Sequence, residues 1–487
     1  MTNSNLSNGL KHNLRLCSAF VFLAITQVPA HAAPLLTYLE GLLAATPEGG
    51  WVKASTNVFS DAWAGGSTAV QYPSYQNPGA IVSAWSSVAW DSTRGDLLLW
   101  GGGHANYAGN EMYVWDGATG SWGRGSLSSR VDSNYFVVDN AAPQSAHTYD
   151  NNIYLPMNDM FLTFGGASFQ SGGGFTVLNG STVEHAGPWL WDPTKADPNK
   201  VGGTTGSGYD PTSIGGEMWI NRQGQWTGIE AVGYGNGTAA YRTENGKDVV
   251  YLTADTQSSG FPSLYRYTLG DVRNGGIDTW EKIGVMENSA AFAGAGTIDS
   301  KNNLYIRTAK NTGQYTSELA VWDISKANAN NPNANKDIAI QLVKEDGTPF
   351  LMTGAFGIEY DMANDQILLW DGSDKGTVWS VRISYDPSGN ILTTLTVKKL
   401  ISTTLAQPTG NFSNGVFGKW DYIDELDAFI AVNEFFSATG DAEVWLYKPF
   451  SDHAGGDGGS GTVPEPGSLA LACIALALMR RKPRQYS

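Results

Sequence analysis

Asp96-Leu-Leu-Leu-Trp100-Gly-Gly-Gly103 is the stretch that decides the fold, together with the runs on either side of it. Ala89-Trp90-Asp91 precedes this stretch, and Met112-Tyr-Val-Trp115-Asp116 and Ser121-Trp122 follow it. Short apolar runs rich in aromatic residues and bounded by Gly, Asp and Thr are typical of β-strands joined by tight turns. Residues 89–122 therefore predict one four-stranded antiparallel unit.

The same pattern returns five times, at intervals of about 50 to 80 residues. Each copy joins an alternating apolar strand, a Gly-rich turn and an aromatic residue followed by Asp. The copies cover residues 148–192, 248–280, 303–323, 360–386 and 420–447. Repetition at this period predicts an all-β propeller. We expect six four-stranded blades over residues 33–450, or seven if residues 185–230 hide a further hairpin.

The last repeat ends at Tyr447 without an outer strand, whereas the stretch from Gly50 to Ser55 has no repeat partner. We therefore expect Trp51 and Val52 to pair with the strand from Val444 to Tyr447, which would close the ring and remove exposed sheet edges. The other Trp residues of the repeats are predicted to pack between blades, and the Asp residues that follow them to cap turns.

The repeat pattern resembles the kelch propellers of the galactose-oxidase-like group, and the resemblance is most specific in the first two units. The copper-radical oxidation of galactose oxidase is disfavoured, because its tyrosine–cysteine crosslink requires a cysteine. The only cysteines, Cys17 and Cys473, lie in the two terminal segments. We expect neither a cofactor nor a metal site in the propeller.

Residues 1–32 have the pattern of a secretory signal peptide. Lys11 and Arg15 form a basic region, residues 16–25 an apolar region, and Ala30-His31-Ala32 a cleavage site. Disulfides are common in exported proteins, but residues 33–450 contain no cysteine, so we expect the propeller to be stable without disulfides.

The C-terminus resembles the PEP-CTERM sorting signal of Gram-negative bacteria that make extracellular polysaccharide. After a linker at 451–462, residues 463–487 contain Pro464-Glu465-Pro466, an apolar run from Leu469 to Met479, and a basic cluster that begins with Arg480 and Arg481. The resemblance implies a transient inner-membrane anchor, cleavage by an exosortase-type enzyme, and release to the cell surface or extracellular matrix. A helix over residues 467–479 would rise roughly 20 Å, less than the ~30 Å of a bilayer core, so it suits a transient anchor.

The net charge of the chain is −16, and six of its 30 basic residues lie in the terminal segments. The remaining body is therefore strongly acidic. This charge argues against nucleic acid as a partner and disfavours a long polyanionic ligand unless a local basic pocket overrides it.

The candidate site lies where the first two repeats depart from repetition. A polar loop in unit one carries His104, Asn106, Tyr107, Asn110 and Glu111. Unit two opens with His147 and Tyr149, and unit three contributes Arg242. His104 and His147 are expected in neighbouring blades, in loops that face the central axis.

Three interpretations of these residues stay open. In the first, the residues are structural, with His104 and Glu111 holding a loop through hydrogen bonds to the backbone. In the second, His104 and His147 line a sugar-binding pocket with Tyr107, Tyr149 and a blade Trp, and Asn106, Asn110 and Glu111 add binding groups. Alternatively they resemble the His, Tyr and Arg set of propeller polysaccharide lyases such as ulvan lyases. That resemblance, by residue type only, implies β-elimination on uronate-containing glycans by His104, Tyr107, His147, Tyr149 and Arg242. A protein-interaction propeller is a further alternative.

Overall fold

The computed structural model describes residues 36–65, 77–169, 176–179, 182–185, 188–208, 210–222, 225–228, 237–254, 262–289, 294–308, 318–352, 356–411 and 413–451. The predicted signal peptide, the predicted sorting signal and all of the predicted linker except Ser451 lie outside these residues. Within the described ranges, no helix combines the length and the apolar character needed to cross a membrane.

The described chain is almost entirely β-structure in a propeller-like arrangement. Its strands, in chain order, are β1 (Gly50–Lys53), β2 (Val88–Asp91), β3 (Asp96–Leu99), β4 (Tyr113–Asp116), β5 (Ser121–Arg124), β6 (Ala146–His147), β7 (Asn152–Leu155), β8 (Met160–Thr163), β9 (Ala167–Ser168), β10 (Thr176–Asn179), β11 (Thr182–His185), β12 (Trp189–Trp191), β13 (Trp219–Asn221), β14 (Trp226–Gly228), β15 (Thr238–Glu244), β16 (Lys247–Ala254), β17 (Ser263–Thr268), β18 (Asp278–Val285), β19 (Gly296–Asp299), β20 (Leu304–Thr308), β21 (Glu318–Asp323), β22 (Ile338–Lys344), β23 (Gly357–Asp361), β24 (Gln366–Trp370), β25 (Val378–Val381), β26 (Thr394–Leu400), β27 (Trp420–Ile423), β28 (Ala428–Val432) and β29 (Val444–Lys448).

These strands form six antiparallel meanders, which we number as blades. From the innermost strand outward, the blades are β2-β3-β4-β5, β7-β8-β12-β13, β15-β16-β17-β18, β19-β20-β21-β22, β23-β24-β25-β26 and β27-β28-β29-β1. Each innermost strand contacts the innermost strands of the two neighbouring blades, and β27 contacts β2. The described strands therefore close into a ring of six units, and β12, β13 and β14, the strands described within residues 186–230, belong to blades 2 and 3.

Two connections go beyond simple repetition. The short strand β14 adds to blade 3 by pairing in parallel with β18. The outer strands β22 and β26, seven residues each, also pair in parallel, which joins blades 4 and 5 into one sheet. Both pairings cover backbone edges that would otherwise remain open.

Ring closure follows the prediction from the sequence. β1 pairs antiparallel with β29, with Trp51 opposite Tyr447 and Val52 opposite Leu446. The Trp51 ring lies 5.6 Å from the rings of both Trp370 and Trp420. The N-terminal strand is thus the outermost strand of blade 6, and its indole also seals the boundary with blade 5.

The first hairpin of every blade turns through a residue with positive φ directly before the second strand. These residues are Gly95, Asp159, Gly246, Asn303, Asp365 and Asp427, with φ between 47° and 76°. Gly, Asn and Asp tolerate this left-handed conformation better than other residues. The Asp that ends the first strand caps the turn in blades 1 and 5, where Asp91 accepts from the Thr93 amide and Asp361 from the Asn364 amide, each at 3.0 Å.

Helices are few, as the sequence indicated, but two occur before blade 1: α1 (Thr37–Ala45) and α2 (Gly79–Ser83). Leu36, Leu39 and Leu43, spaced for one helix face, pack into the core shared by blades 1 and 6. Single 3₁₀ turns occur at Phe59–Ala62, Pro193–Lys195, Pro211–Ser213, Val272–Asn274, Ile324–Lys326 and Pro332–Ala334.

Candidate functional site at the mouth of the propeller

His104 and His147 meet at the end of the ring where the innermost strands begin. Their ring centroids are 5.8 Å apart. The approach depends on Gly103, whose φ is positive and where an added Cβ would lie 2.1 Å from the backbone nitrogen of His147. His147 lies on β6, which pairs with β9, and the His104 amide donates to the Ala167 carbonyl on β9 at 3.3 Å. The structure thus brings together the rings of two histidines that the sequence analysis placed in neighbouring blades.

The two imidazoles differ in environment. His104 is exposed, whereas His147 is only 4% exposed. Burial, with the nearby His104 as a smaller cause, lowers the pKa of His147 to about 3. The ring is therefore neutral at physiological pH. Its Nε2 lies 2.7 Å from Oδ1 of Asn106, so Nε2 donates to the amide oxygen and Nδ1 remains as an acceptor.

Aromatic side chains form the walls around His147. The ring of Trp85, which is half-buried, lies 4.8 Å from the imidazole, and the ring of Tyr149 lies 6.1 Å away. Tyr149 packs edge-on against Phe417 at 5.7 Å. We call Trp85, His104, Asn106, His147, Tyr149 and Phe417 the mouth site.

The backbone of the mouth site is strained. Tyr149 has φ of 49° and Phe417 has φ of 51°. Bulky residues adopt this conformation rarely, and it costs of order 1–3 kcal/mol where it occurs. The Tyr149 amide donates to the Trp85 carbonyl at 2.9 Å, which ties the strained backbone to the aromatic wall. Strain of this kind concentrates at functional sites.

Tyr107 and Glu111 do not reach the mouth. Tyr107 is buried in the core of blades 1 and 6, and its hydroxyl donates to Glu111 Oε1. The Tyr113 hydroxyl donates to the same oxygen at 3.0 Å. Burial raises the pKa of Glu111. The structure places this pair inside the blade. Glu111 therefore has a structural role, as one interpretation expected, but it acts through the hydroxyls of Tyr107 and Tyr113, where hydrogen bonds to the backbone were expected.

Asn110 is also buried within a loop network. Its Oδ1 accepts from the Ser129 amide at 2.8 Å, and its Nδ2 donates to the Pro143 carbonyl at 3.1 Å. Of the three predicted binding residues, Asn106 alone contacts an imidazole of the mouth site.

Arg242 lies further from the mouth of the propeller than the two histidines do, along the inner strand β15. The residue that begins its strand, Thr238, forms a parallel bridge with Asp150, next to the mouth site. Arg242 is four residues further along β15, which corresponds to roughly 13 Å. Its Nε donates to Glu244 Oε1 at 2.5 Å, and its guanidinium lies 5.1 Å from the ring centroid of Tyr251. Arg242 is therefore engaged away from the two histidines.

The innermost strands enclose an axial channel of about 460 Å³. Asp150, Glu359 and Asp421 line it, and each accepts a hydrogen bond from another blade. The donors are the Gly296 amide at 2.7 Å, the Thr297 hydroxyl at 2.8 Å and the Trp90 amide at 3.0 Å. Burial is the main cause that raises the pKa of Asp150 to about 8, that of Asp421 to about 6 and that of Glu359 well above its usual value.

The prediction that such Asp residues cap turns needs correction for Asp150 and Asp421. Their carboxyl groups bridge between blades because the aromatic-Asp end of the repeat pattern coincides here with the channel wall. Within the described part of the chain, no three or more His, Cys, Asp or Glu side chains are arranged to hold a metal ion.

No family model matches the chain, and the search of curated proteins gave no match. Among solved structures, the chain is similar to an α-L-arabinofuranosidase from Fusarium graminearum, with a TM-score of 0.40 and 12% identity over 78% of this chain and 96% of that one. An α-L-arabinanase from Penicillium chrysogenum gives 0.37 and 12%, over 74% and 93%. An aldose sugar dehydrogenase from Streptomyces coelicolor gives 0.35 and 12%, over 82% and 99%. Similarity at this level does not assign a function.

Proposed function

We propose that this chain is an exported propeller of the kelch type that binds carbohydrate through the mouth site. The observation that carries the proposal is the half-buried indole of Trp85 beside the paired imidazoles of His104 and His147. Carbohydrate recognition needs an aromatic face for the apolar side of a sugar ring and a few fixed polar groups for its hydroxyls. Asn106 orients the His147 ring, so that its Nδ1 supplies an acceptor, and the strained backbone at Tyr149 fixes the aromatic wall.

The experiment measures retention of the purified protein in native gels that contain neutral or uronate-containing polysaccharides. Trp85→Ala and His104→Ala should each weaken binding at least about tenfold, equivalent to ~1.4 kcal/mol. Trp379→Ala is the matched control, because Trp379 is a half-buried indole on blade 5 that packs against Phe350 away from the mouth. Equal retention of all three variants would remove the mouth site from the proposal.

A polysaccharide lyase remains the second candidate, favoured by the proximity of His147 and Tyr149. It has less support, for three reasons. A base with a pKa of about 3 has little driving force for proton abstraction near pH 7. Tyr107 is buried, and Arg242 is bound to Glu244 deeper in the ring. Incubation with uronate-containing polymers distinguishes this reading, because a lyase would generate the ultraviolet absorbance of an unsaturated sugar and His147→Ala would abolish it.

A protein-interaction propeller would bind no glycan in either assay, and Trp85→Ala would not change its binding to a protein partner.

For delivery, we propose that an exosortase-type enzyme processes the C-terminal segment after transient insertion in the inner membrane. The order of Pro464-Glu465-Pro466, apolar run and basic cluster supports this route, which ends at the cell surface or in the extracellular polysaccharide matrix.

A further inference from the structure

An apolar groove of about 470 Å³ lies against β1, the outermost strand of blade 6, and its lining includes none of the mouth-site residues. It runs between α1 and the connection at 401–406, and Leu42, Ala45, Pro47, Val52 and Leu405 line it. We call it the α1 groove. Leu405 is fully exposed, and nearby Ile401 is 78% exposed. Single exposed aliphatic residues are common, but here Leu405 lines an apolar groove and Ile401 lies four residues before it on the same connection.

The exposed position of Leu405 is fixed by the structure. The Thr403 hydroxyl donates to the Glu48 carbonyl at 2.8 Å, and the Thr403 amide donates to the Gly49 carbonyl at 3.1 Å. The Trp51 amide donates to the Thr404 hydroxyl at 2.8 Å. These bonds hold the connection against β1, so the leucine side chain that follows is directed outward by its backbone.

The C-terminal segment leaves the propeller beside this groove. Ser451 is bonded to the Glu48 carboxylate through its amide at 3.2 Å and its hydroxyl at 3.0 Å. Glu48 is the same residue whose carbonyl holds Thr403. Residues 452–468 then lead to the apolar run that starts at Leu469. A Gly-rich linker of this length has an end-to-end distance of roughly 23 Å, which is enough to return to the groove.

We propose that the α1 groove docks the chain's own apolar segment, Leu469–Met479, before the segment enters the membrane or is removed. The segment consists of Leu, Ala, Ile, Cys and Met alone, and as a helix it would rise roughly 16 Å against roughly 13 Å for α1. The basic residues that follow it match the exposed carboxylates of Glu40 and Glu48 beside the groove. Docking would cover two apolar surfaces in water while the chain is in transit.

Native Cys473 lies within the segment and provides the test. In a purified chain of residues 33–487 it is the only cysteine, because Cys17 precedes residue 33. In detergent-free buffer under mild oxidation, Leu405→Cys should form an intramolecular disulfide with Cys473 at least tenfold faster than Ile277→Cys. Ile277 is a suitable control, because it is 55% exposed and lies just before the outer strand of blade 3. Non-reducing peptide mass spectrometry identifies the bond.

Equal rates for the two variants, or no disulfide with Leu405→Cys, would overturn the proposal. Disulfides formed only between molecules would assign the groove to a second copy and would also overturn it. A second measurement avoids oxidation: a chain that ends at residue 462 should bind more of a hydrophobic fluorescent dye than the full segment-bearing chain. Leu405→Asp should reduce that difference, and an unchanged difference would count against the groove. Neither result depends on glycan binding.

Discussion

The seam between blades 5 and 6 and the mouth site use the same kinds of side chain in opposite ways. At the seam, Trp51, Trp370, Trp420 and Tyr447 are fully buried, with ring centroids 5.0 to 6.0 Å apart. At the mouth, Trp85 keeps part of its indole exposed and lies against an imidazole. An aromatic residue in a propeller therefore indicates function only where its surroundings leave a face open.

The backbones of the two regions differ in the same sense. Trp51, Trp420 and Tyr447 lie on regular paired strands, so their packing follows from strand geometry. Tyr149 and Phe417 have left-handed backbones just before or between strands. The backbone conformations at the seam are those that the residue types favour, whereas two bulky residues at the mouth adopt a conformation that they disfavour. This difference is expected where one region provides stability and the other a functional site.

The largest effect should come from the seam. Trp51→Ala removes the outermost indole of blade 6, its contacts with Trp370 and Trp420, and its hydrogen bond to the Gly376 carbonyl. Replacement of a fully buried Trp by Ala costs about 3–5 kcal/mol. Urea denaturation should show this loss, whereas Trp379→Ala should cost clearly less. If both variants lost the same free energy of unfolding, the contacts that Trp51 makes in closing the ring would contribute no additional stability.

The seam was predictable from the sequence because a strand missing from one repeat is visible by comparison with the other repeats. The last repeat lacks one strand and residues 50–55 lack a repeat partner, so the sequence itself predicts that Trp51 pairs with the strand from Val444 to Tyr447. The tight turns are equally visible in the sequence, since Gly, Asn or Asp directly precedes the second strand of each blade. Helix α1 was missed because its apolar stripe is only three leucines long.

The mouth site was predictable only in part. Departure from the repeat pattern singles out His104 and His147, but Tyr107 and Glu111 lie in the same polar loop as His104 and point into the blade. Trp85 and Phe417 join the site from segments more than 300 residues apart, outside the repeat pattern. Glu359 faces the channel from an ordinary strand. The contacts of Trp85, Phe417 and Glu359 arise from closure of the propeller and from left-handed backbone at bulky residues, and neither leaves a local signal in the sequence.

Asp150 follows Tyr149 directly and marks the boundary between the mouth site and the channel, so its titration sharpens the comparison. Its pKa is about 8 in the folded protein against 3.8 in a model peptide. The folded state therefore holds the proton longer, and the free energy of unfolding falls as pH rises from 3.8 to about 8. Asp150→Asn removes this dependence and should stabilise the protein by about 2 kcal/mol or more at pH 8, with no gain below pH 4. Thermal unfolding across this range provides the measurement, and a gain independent of pH would contradict the assignment.

Trp85→Ala tests the mouth with a smaller effect on stability. Because the indole is partly exposed, its loss should change the free energy of unfolding by no more than about 1 kcal/mol, far less than at Trp51. Glycan retention should nevertheless fall at least about tenfold. His104→Ala should behave in the same way, with even less effect on unfolding, since His104 is exposed. A large loss of stability with retained binding would reverse the roles assigned to the two regions.

The smallest effect on folding should follow removal of residues 463–487. The ring of blades is complete once β29, which ends at Lys448, pairs with β1, and Ser451 is the last residue described, bonded to Glu48 at the surface. The shortened chain should therefore remain folded, and its free energy of unfolding should fall only by what docking of the segment in the α1 groove contributes, about 1 kcal/mol or less. In cells its location should change, because the proposed membrane anchor and the Pro464-Glu465-Pro466 motif are gone. Fractionation of periplasm, membrane and medium measures that change.

Replacement of Pro464 and Glu465 by Ala provides the matched control, since it keeps the apolar run and should hold the protein in the membrane fraction. If the shortened chain unfolds, the segment is part of the fold and the division between a self-sufficient seam and an accessible mouth no longer holds.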